Sequence, residues 1–183
     1  MHPPGGLVGG DALEITLKLK AQAHALITTP GATRFYKSLG DAATQTLHAQ
    51  LEDGARLEWL PLEALAYDQC QASNHAVFEL TPGAELMGWD ITALGLPLAQ
   101  RPFERGTFSQ HIDVPGVWRE QGRIDAADLR LTAGATSPHP QVLVVRVLSP
   151  LVEPAMDLFK ALRICWRACL WDMPAISPRI WTT

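Results

Sequence analysis

The chain has 183 residues, of which 47% are hydrophobic and 19% charged, with a formal net charge of −4. This is the composition of a folded domain rather than a disordered segment, and one domain over residues 1–183 is long enough to bury its own core. No Lys/Arg block offers a nucleic acid an electrostatic footprint, and no apolar run or leader pattern marks a membrane span or export signal, so the cytoplasm is the expected compartment.

The segment MHPPGGLVGGD (1–11) is rich in turn residues and starts no regular element. After it Leu13, Ile15, Leu17 and Leu19 alternate with Glu14, Thr16, Lys18 and Lys20, the period of a strand with one buried face. HALITT (24–29) is a second short strand, stopped by Pro30-Gly31. Residues 44–60 read as a hairpin, with Leu47, Ala49 and Leu51 inward and a tight turn at Asp53-Gly54. HAVFEL (75–80), Pro82-Gly83 and ELMGWDI (85–91) repeat that strand–turn–strand grammar. Further strands are expected at 107–114, 117–124 and 142–148.

From Glu153 the pattern changes. Ala155, Phe159, Leu162, Trp166 and Leu170 recur at helical spacing, which predicts an amphipathic helix that Pro174 ends. The expected fold is therefore mainly β, a sandwich, barrel or solenoid-like body with one C-terminal helix. The strands show no strict residue period, so a regular solenoid does not follow from the sequence.

Enzyme motifs are sparse. GATRFYKS (31–38) ends like a phosphate-binding loop, but Tyr36 stands where that loop needs a glycine. No serine occupies a nucleophile elbow, and Cys70 has Asp68 and His75 near it only in sequence. Three cysteines without regular spacing form no disulfide framework, and six scattered histidines form no closed zinc site. Glu58, Glu63, Asp68, Asp90 and Glu120 are the carboxylates from which a β-rich hydrolase would draw an acid and a base.

The order and spacing of several strings are more specific. HPPGGLVGGD (2–11), TTPGATRFYKS (28–38) and LEWLP (57–61) closely resemble the opening blocks of the UreD (UreH) family of urease accessory proteins. LMGWDITALGLP (86–97), FERGTFSQHIDV (103–114), WREQGRI (118–124), VLVVRVLS (142–149) and PRIWTT (178–183) resemble its later blocks. Against that pattern the chain is shortened. The strands upstream of HPPGG are missing, LTAGATSPHP between Leu131 and Gln141 replaces a longer segment, and Leu62 and Leu96 stand where Gln and Arg are common.

The resemblance implies a non-catalytic scaffold of stacked, helix-like β-sheets that serves nickel insertion. Its implied partners are apo-urease, UreF and, through UreF, the GTPase UreG. Nickel is implied as cargo in transit through an internal passage, with no tightly bound cofactor. By position in the matching blocks, Asp11, Asp90 and Glu120 are expected beside the passage, and Thr33, Arg34 and Tyr36 at a partner contact. Each has a plainer role beside that one. Asp11 would cap a turn, Asp90 would accept backbone hydrogen bonds and Glu120 would pair with Arg119 or Arg123. Thr33–Tyr36 would form a demanding turn with Tyr36 in the core. The alternatives in function are the two-carboxylate hydrolase and a binding module that has lost nickel delivery.

Overall fold

A computed structural model of the chain describes residues 5–96 and 99–127, the backbone of 143–148 and the single residue Ala161. The chain divides into two compact units, Met1–Pro150 and Leu151–Thr183, and apart from Ala161 the second unit and the helix expected in it lie outside the described residues. No described helix is long and apolar enough to cross a membrane.

The first unit is built of strands: β1 (Ala12–Leu19), β2 (His24–Ile27), β3 (Thr33–Phe35), β4 (Ala43–Leu51), β5 (Arg56–Trp59), β6 (Ala64–Ala66), β7 (Gln71–Leu80), β8 (Glu85–Leu94), β9 (Thr107–Val114), β10 (Trp118–Asp125) and β11 (Leu143–Leu148). They make two sheets, one in the order β1-β4-β7-β9-β10 and one in the order β2-β5-β8-β6-β3, with β11 antiparallel to β8. Within the first sheet β1, β4, β7 and β9 are all parallel; in the second, β8 is parallel to both β5 and β6. Each turn of chain thus crosses from one sheet to the other and returns one strand further on, a coil of rungs rather than a meander.

That topology corrects the expected hairpin over 44–60. Strands β4 and β5 pair with nothing in each other and lie in different sheets. The turn between them closes with Ala55 N–H donating to the Glu52 carbonyl at 3.0 Å, with Gly54 at φ 64°. The same corner recurs one rung before, where Ala23 donates to Lys20 and Gln22 has φ 62°, and one rung after, where Ala84 donates to Thr81 and Gly83 has φ 84°. A left-handed third residue is what a type II turn requires. Stacked on one another, these corners turn the chain between sheets instead of back along one. Pro115-Gly116 does make a hairpin, joining β9 to the antiparallel β10.

Rung lengths explain why no period shows in the sequence. Ala12 pairs with Thr44, Ala43 with Ala72 and Ala72 with Phe108, so successive rungs differ in length. Rungs one and two also break in the second sheet where rung three does not: β2/β3 and β5/β6 are interrupted at Pro30 and Pro61, while β8 runs through. Proline has no N–H to give a central ladder, which is reason enough for both breaks.

Interior-facing residues fall into columns. Ile15, Leu47, Ala76 and Ile112 align in register, and with Leu57, Phe78 and Leu86 they form one apolar cluster. Phe35, Ala43, Ala72, Phe103 and Phe108 form another, in which the Phe35 and Phe108 rings meet edge to face at 5.5 Å. Leu47, Ala49 and Leu51 are buried, as their alternation predicts.

Candidate functional site

Between the two apolar clusters lies a polar layer. The interior column next to Leu47, Ala76 and Ile112 is Gln45, Asn74 and Gln110, paired in register across β4, β7 and β9. Asn74 and Gln110 are 8% and 5% exposed, so both amides are almost wholly removed from water. Facing them from β8 are Asp90 and the buried Thr92.

The Asn74 amide nitrogen donates to Asp90 Oδ1 at 3.5 Å and Thr92 Oγ1 donates to Oδ2 at 3.4 Å. The Asn74 carbonyl oxygen then faces Gln45, whose Nε2 donates to it at 3.2 Å. Gln110 is left over. Its Oε1 is buried with no hydrogen-bond partner among the described residues. A buried acceptor without a partner costs about 1–3 kcal/mol, so this atom calls for a water or a ligand.

The space for one is present. A cavity of about 40 Å³ lies beside this layer, under the two breaks in the second sheet. Gln45, Asn74, Asp90 and Gln110 line it together with Thr29 and Thr33, and Trp59, Pro61, Leu62 and Trp89 stand at the interruption. Two bonds hold this rim: Thr29 Oγ1 accepts from Leu62 N–H at 3.0 Å, and Trp89 Nε1 donates to the Pro61 carbonyl at 2.7 Å. Among the described lining residues the donor set is all oxygen, with one carboxylate and neither histidine nor cysteine.

Of the carboxylates assigned to the passage, Asp90 lines this cavity and the other two do not. Asp11 is exposed before β1, where its Oδ2 accepts the Val8 N–H at 2.9 Å in a local turn. Glu120 is half-buried on the interior-facing side of β10, in register with Ile112. Arg119 is not its partner in the ion pairs seen, since that guanidinium holds Asp113 at 2.6 Å. Thr33 sits buried in β3 and lines the cavity, whereas Arg34 is exposed. Tyr36 is 36% exposed and rests edge-on against Tyr67 at 5.1 Å; the core ring in that segment is Phe35, at 0%. The segment is a strand, not the tight turn allowed for it. Gln45, Asn74 and Gln110 carried no signal of their own in the sequence, where a polar residue at an inward position of an alternating strand is visible only once the strand's facing is known.

Other constellations support no chemistry. Cys70 is fully buried, and burial followed by the nearby Asp68 charge pushes its thiol up to about 12, so it supplies no thiolate. Burial raises the Asp68 carboxyl, but hydrogen bonds from Gln69, the Arg105 and Glu104 backbone N–H groups and the Arg105 side chain outweigh it and hold it low. Its work is to tie the loop before β9. Glu58 is taken up by His24 at 2.7 Å. On the outer face the His75 and His111 rings stack at 4.3 Å and 17°. No group of three or more metal-ligating side chains occurs among the described residues.

Residues 1–136 match the family model of the UreD urease accessory protein. The chain is 49% identical over 230 residues to the urease accessory protein UreD of Variovorax paradoxus (strain S110), covering 100% of this chain and 83% of that protein. It is 49% identical over 229 residues to that of Polaromonas sp. (strain JS666 / ATCC BAA-500), with the same coverage. To that of Albidiferax ferrireducens it is 50% identical over 228 residues, covering 99% and 83%. An aligned span of 230 residues against a chain of 183 means that the relative carries internal residues this chain lacks.

Proposed function

Because this chain belongs to the family of the urease accessory protein UreD, we infer that it serves urease maturation as a non-catalytic scaffold that passes nickel through its interior to apo-urease. The observation that supports a passage is a small cavity between two apolar clusters, lined mostly by apolar side chains with a polar layer of Gln45, Asn74, Asp90 and Gln110 on one side. Apolar clusters flank the polar layer, and residues beside the breaks at Pro30 and Pro61 (Thr29, Thr33, Leu62) line its cavity.

The chemistry suits cargo rather than a resident ion. Imidazole and thiolate bind late first-row divalent ions tightly, whereas carboxylate, amide and hydroxyl oxygens hold them weakly and exchange them. A carboxylate with neutral oxygens on either side offers a divalent cation contacts that it can exchange. UreF is the partner that would dock on the scaffold, bringing UreG with its nickel, with Thr33–Tyr36 as the contact expected from the resemblance; Arg34 and Tyr36 are the exposed members of that set.

The test is co-expression with UreF, UreG and apo-urease in cells lacking their own UreD, followed by a urease assay with added nickel. Restored activity that Asp90→Asn abolishes supports conduction through this cavity. Co-purification of UreF with inactive urease would instead favour the second reading, a shortened scaffold that binds without conducting, which the missing internal residues make worth separating.

A further inference from the structure

We propose that the outer face of the first sheet carries a binding site for a phosphate group, in a groove where β7, β9 and β10 lie side by side. The site is independent of the nickel-conducting reading and draws on side chains outside the lining of the inner cavity.

Alternation and register build the groove. Ala72, Asn74 and Ala76 are buried on β7, and Phe108, Gln110 and Ile112 on β9, so Ser73 and His75, and Ser109 and His111, face outward. On β10 the exposed positions are Arg119, Gln121 and Arg123. Pairing sets six of these side chains in two rows: Ser73 beside Ser109 beside Arg123, and His75 beside His111 beside Gln121. Strands lie about 4.8 Å apart, so each row spans about 10 Å. All six side chains line one open groove.

The groove offers hydrogen-bond donors and no opposing charge. Two hydroxyls, two imidazoles, an amide and a guanidinium line it, and no described carboxylate does. Elsewhere on the same face the charges are matched: Arg119 holds Asp113 at 2.6 Å, and His48 meets Glu79 at 3.0 Å. Arg123, by contrast, is in no ion pair among the described residues, and none of the six side chains makes a hydrogen bond to another described residue. His111 Nε2 is buried with no hydrogen-bond partner, and the His75 and His111 rings stack at 4.3 Å. No described hydrogen bond therefore fixes how these rings turn, which leaves a ligand to do so.

A phosphate group suits this set better than a carboxylate. A monoester carries about −1.5 to −2 charges near neutral pH and three strong acceptor oxygens, enough to engage the guanidinium and donors of both rows together. The two oxygens of a carboxylate are already matched by the fork of Arg123 alone. The chain has a formal net charge of −4, so general attraction does not bring an anion here and the affinity must come from these local donors.

The experiment is calorimetric titration of the full chain with inorganic phosphate, glycerol 3-phosphate and acetate at fixed ionic strength. If the chain needs UreF to stay in solution, the complex is titrated with UreF alone as the blank. Saturable binding of phosphate at one site is expected. Arg123→Gln should weaken it about tenfold or more through the loss of a charge-assisted contact, and Ser109→Ala about threefold. Arg101→Gln, which removes an exposed charge elsewhere, should leave it unchanged. Glycerol 3-phosphate binding as tightly as phosphate assigns the groove to a phosphate carried on a larger molecule, and binding of inorganic phosphate alone assigns it to the free ion; both sustain the proposal. Acetate binding as tightly as phosphate, equal weakening by Arg101→Gln, or no saturable phosphate binding overturns it. Arg123 is exposed, so its variant keeps the fold, and an unchanged affinity in Arg123→Gln overturns the site as well.

Discussion

The indole N–H of Trp89 donates to the Pro61 carbonyl oxygen at 2.7 Å, bridging the point where β5 and β6 part while β8 continues. Pro61 ends one strand because it lacks a ladder donor, and Trp89 in the next rung satisfies the carbonyl left behind. Trp89→Phe keeps the ring and removes the donor. It should lower stability by about 1 kcal/mol and Tm by roughly 2–4 °C. Thermal unfolding with an unchanged Tm would mean that the rim of the cavity is held by something else.

Glycine substitutions should separate by place. At Gly106, φ is 108° and a Cβ would run into the Cys70 backbone oxygen, which has no freedom to yield. Gly106→Ala should therefore destabilise by more than about 2 kcal/mol, whereas Gly122→Ala, into open space, should change stability by less than about 1 kcal/mol. Urea titration of the two variants checks the order; equal midpoints would contradict the packing described.

Phe108 is fully buried against Phe35, while Leu39 is 97% exposed. Phe108→Ala should cost about 3–5 kcal/mol from lost burial and the cavity left behind. Leu39→Ser should fall within about 0.5 kcal/mol of wild type by the same denaturation measurement.

Acid should weaken the fold in two stages. Burial, then the His111 charge, lowers His75, with Asp113 opposing, so the folded state favours the neutral imidazole. The unfolded chain binds that proton more readily, and this part of the stability is complete above about pH 6.5 and declines as pH falls through the lower folded value. Asp68, held low in the folded state, contributes stability that is complete above about pH 3.9 and is lost as pH falls further. His75→Asn should flatten the first stage and Asp68→Asn the second in urea midpoints measured from pH 3 to 8. A first stage unaltered in His75→Asn would assign it to another group.

Much of the candidate site was hidden for a definite reason. Asp90 and Thr33 stood in recognisable strings, but the amides of Gln45, Asn74 and Gln110 lie in three strands separated by whole rungs. Only parallel register brings them into one column, and register is a property of the assembled sheet. Asp11 illustrates the converse. Its Gly-Gly-Asp setting suggested a local turn, and it accepts a hydrogen bond within three residues of itself.

The sequence by itself determined the strands and their faces. Period-two alternation puts Ile15, Leu47 and Phe78 inside because burying apolar side chains dominates the folding free energy of a half-buried strand. It also determined where the chain turns, since Gly54, Gly83 and Gly116 meet the demand for positive φ. Which strands those turns join was decided by tertiary structure alone. Pro82-Gly83 carries β7 into the other sheet, and Pro115-Gly116, the same dipeptide, folds β10 back beside β9. A turn fixes only a few dihedral angles, whereas the choice of pairing partner is set by ladder hydrogen bonds and core contacts many residues away.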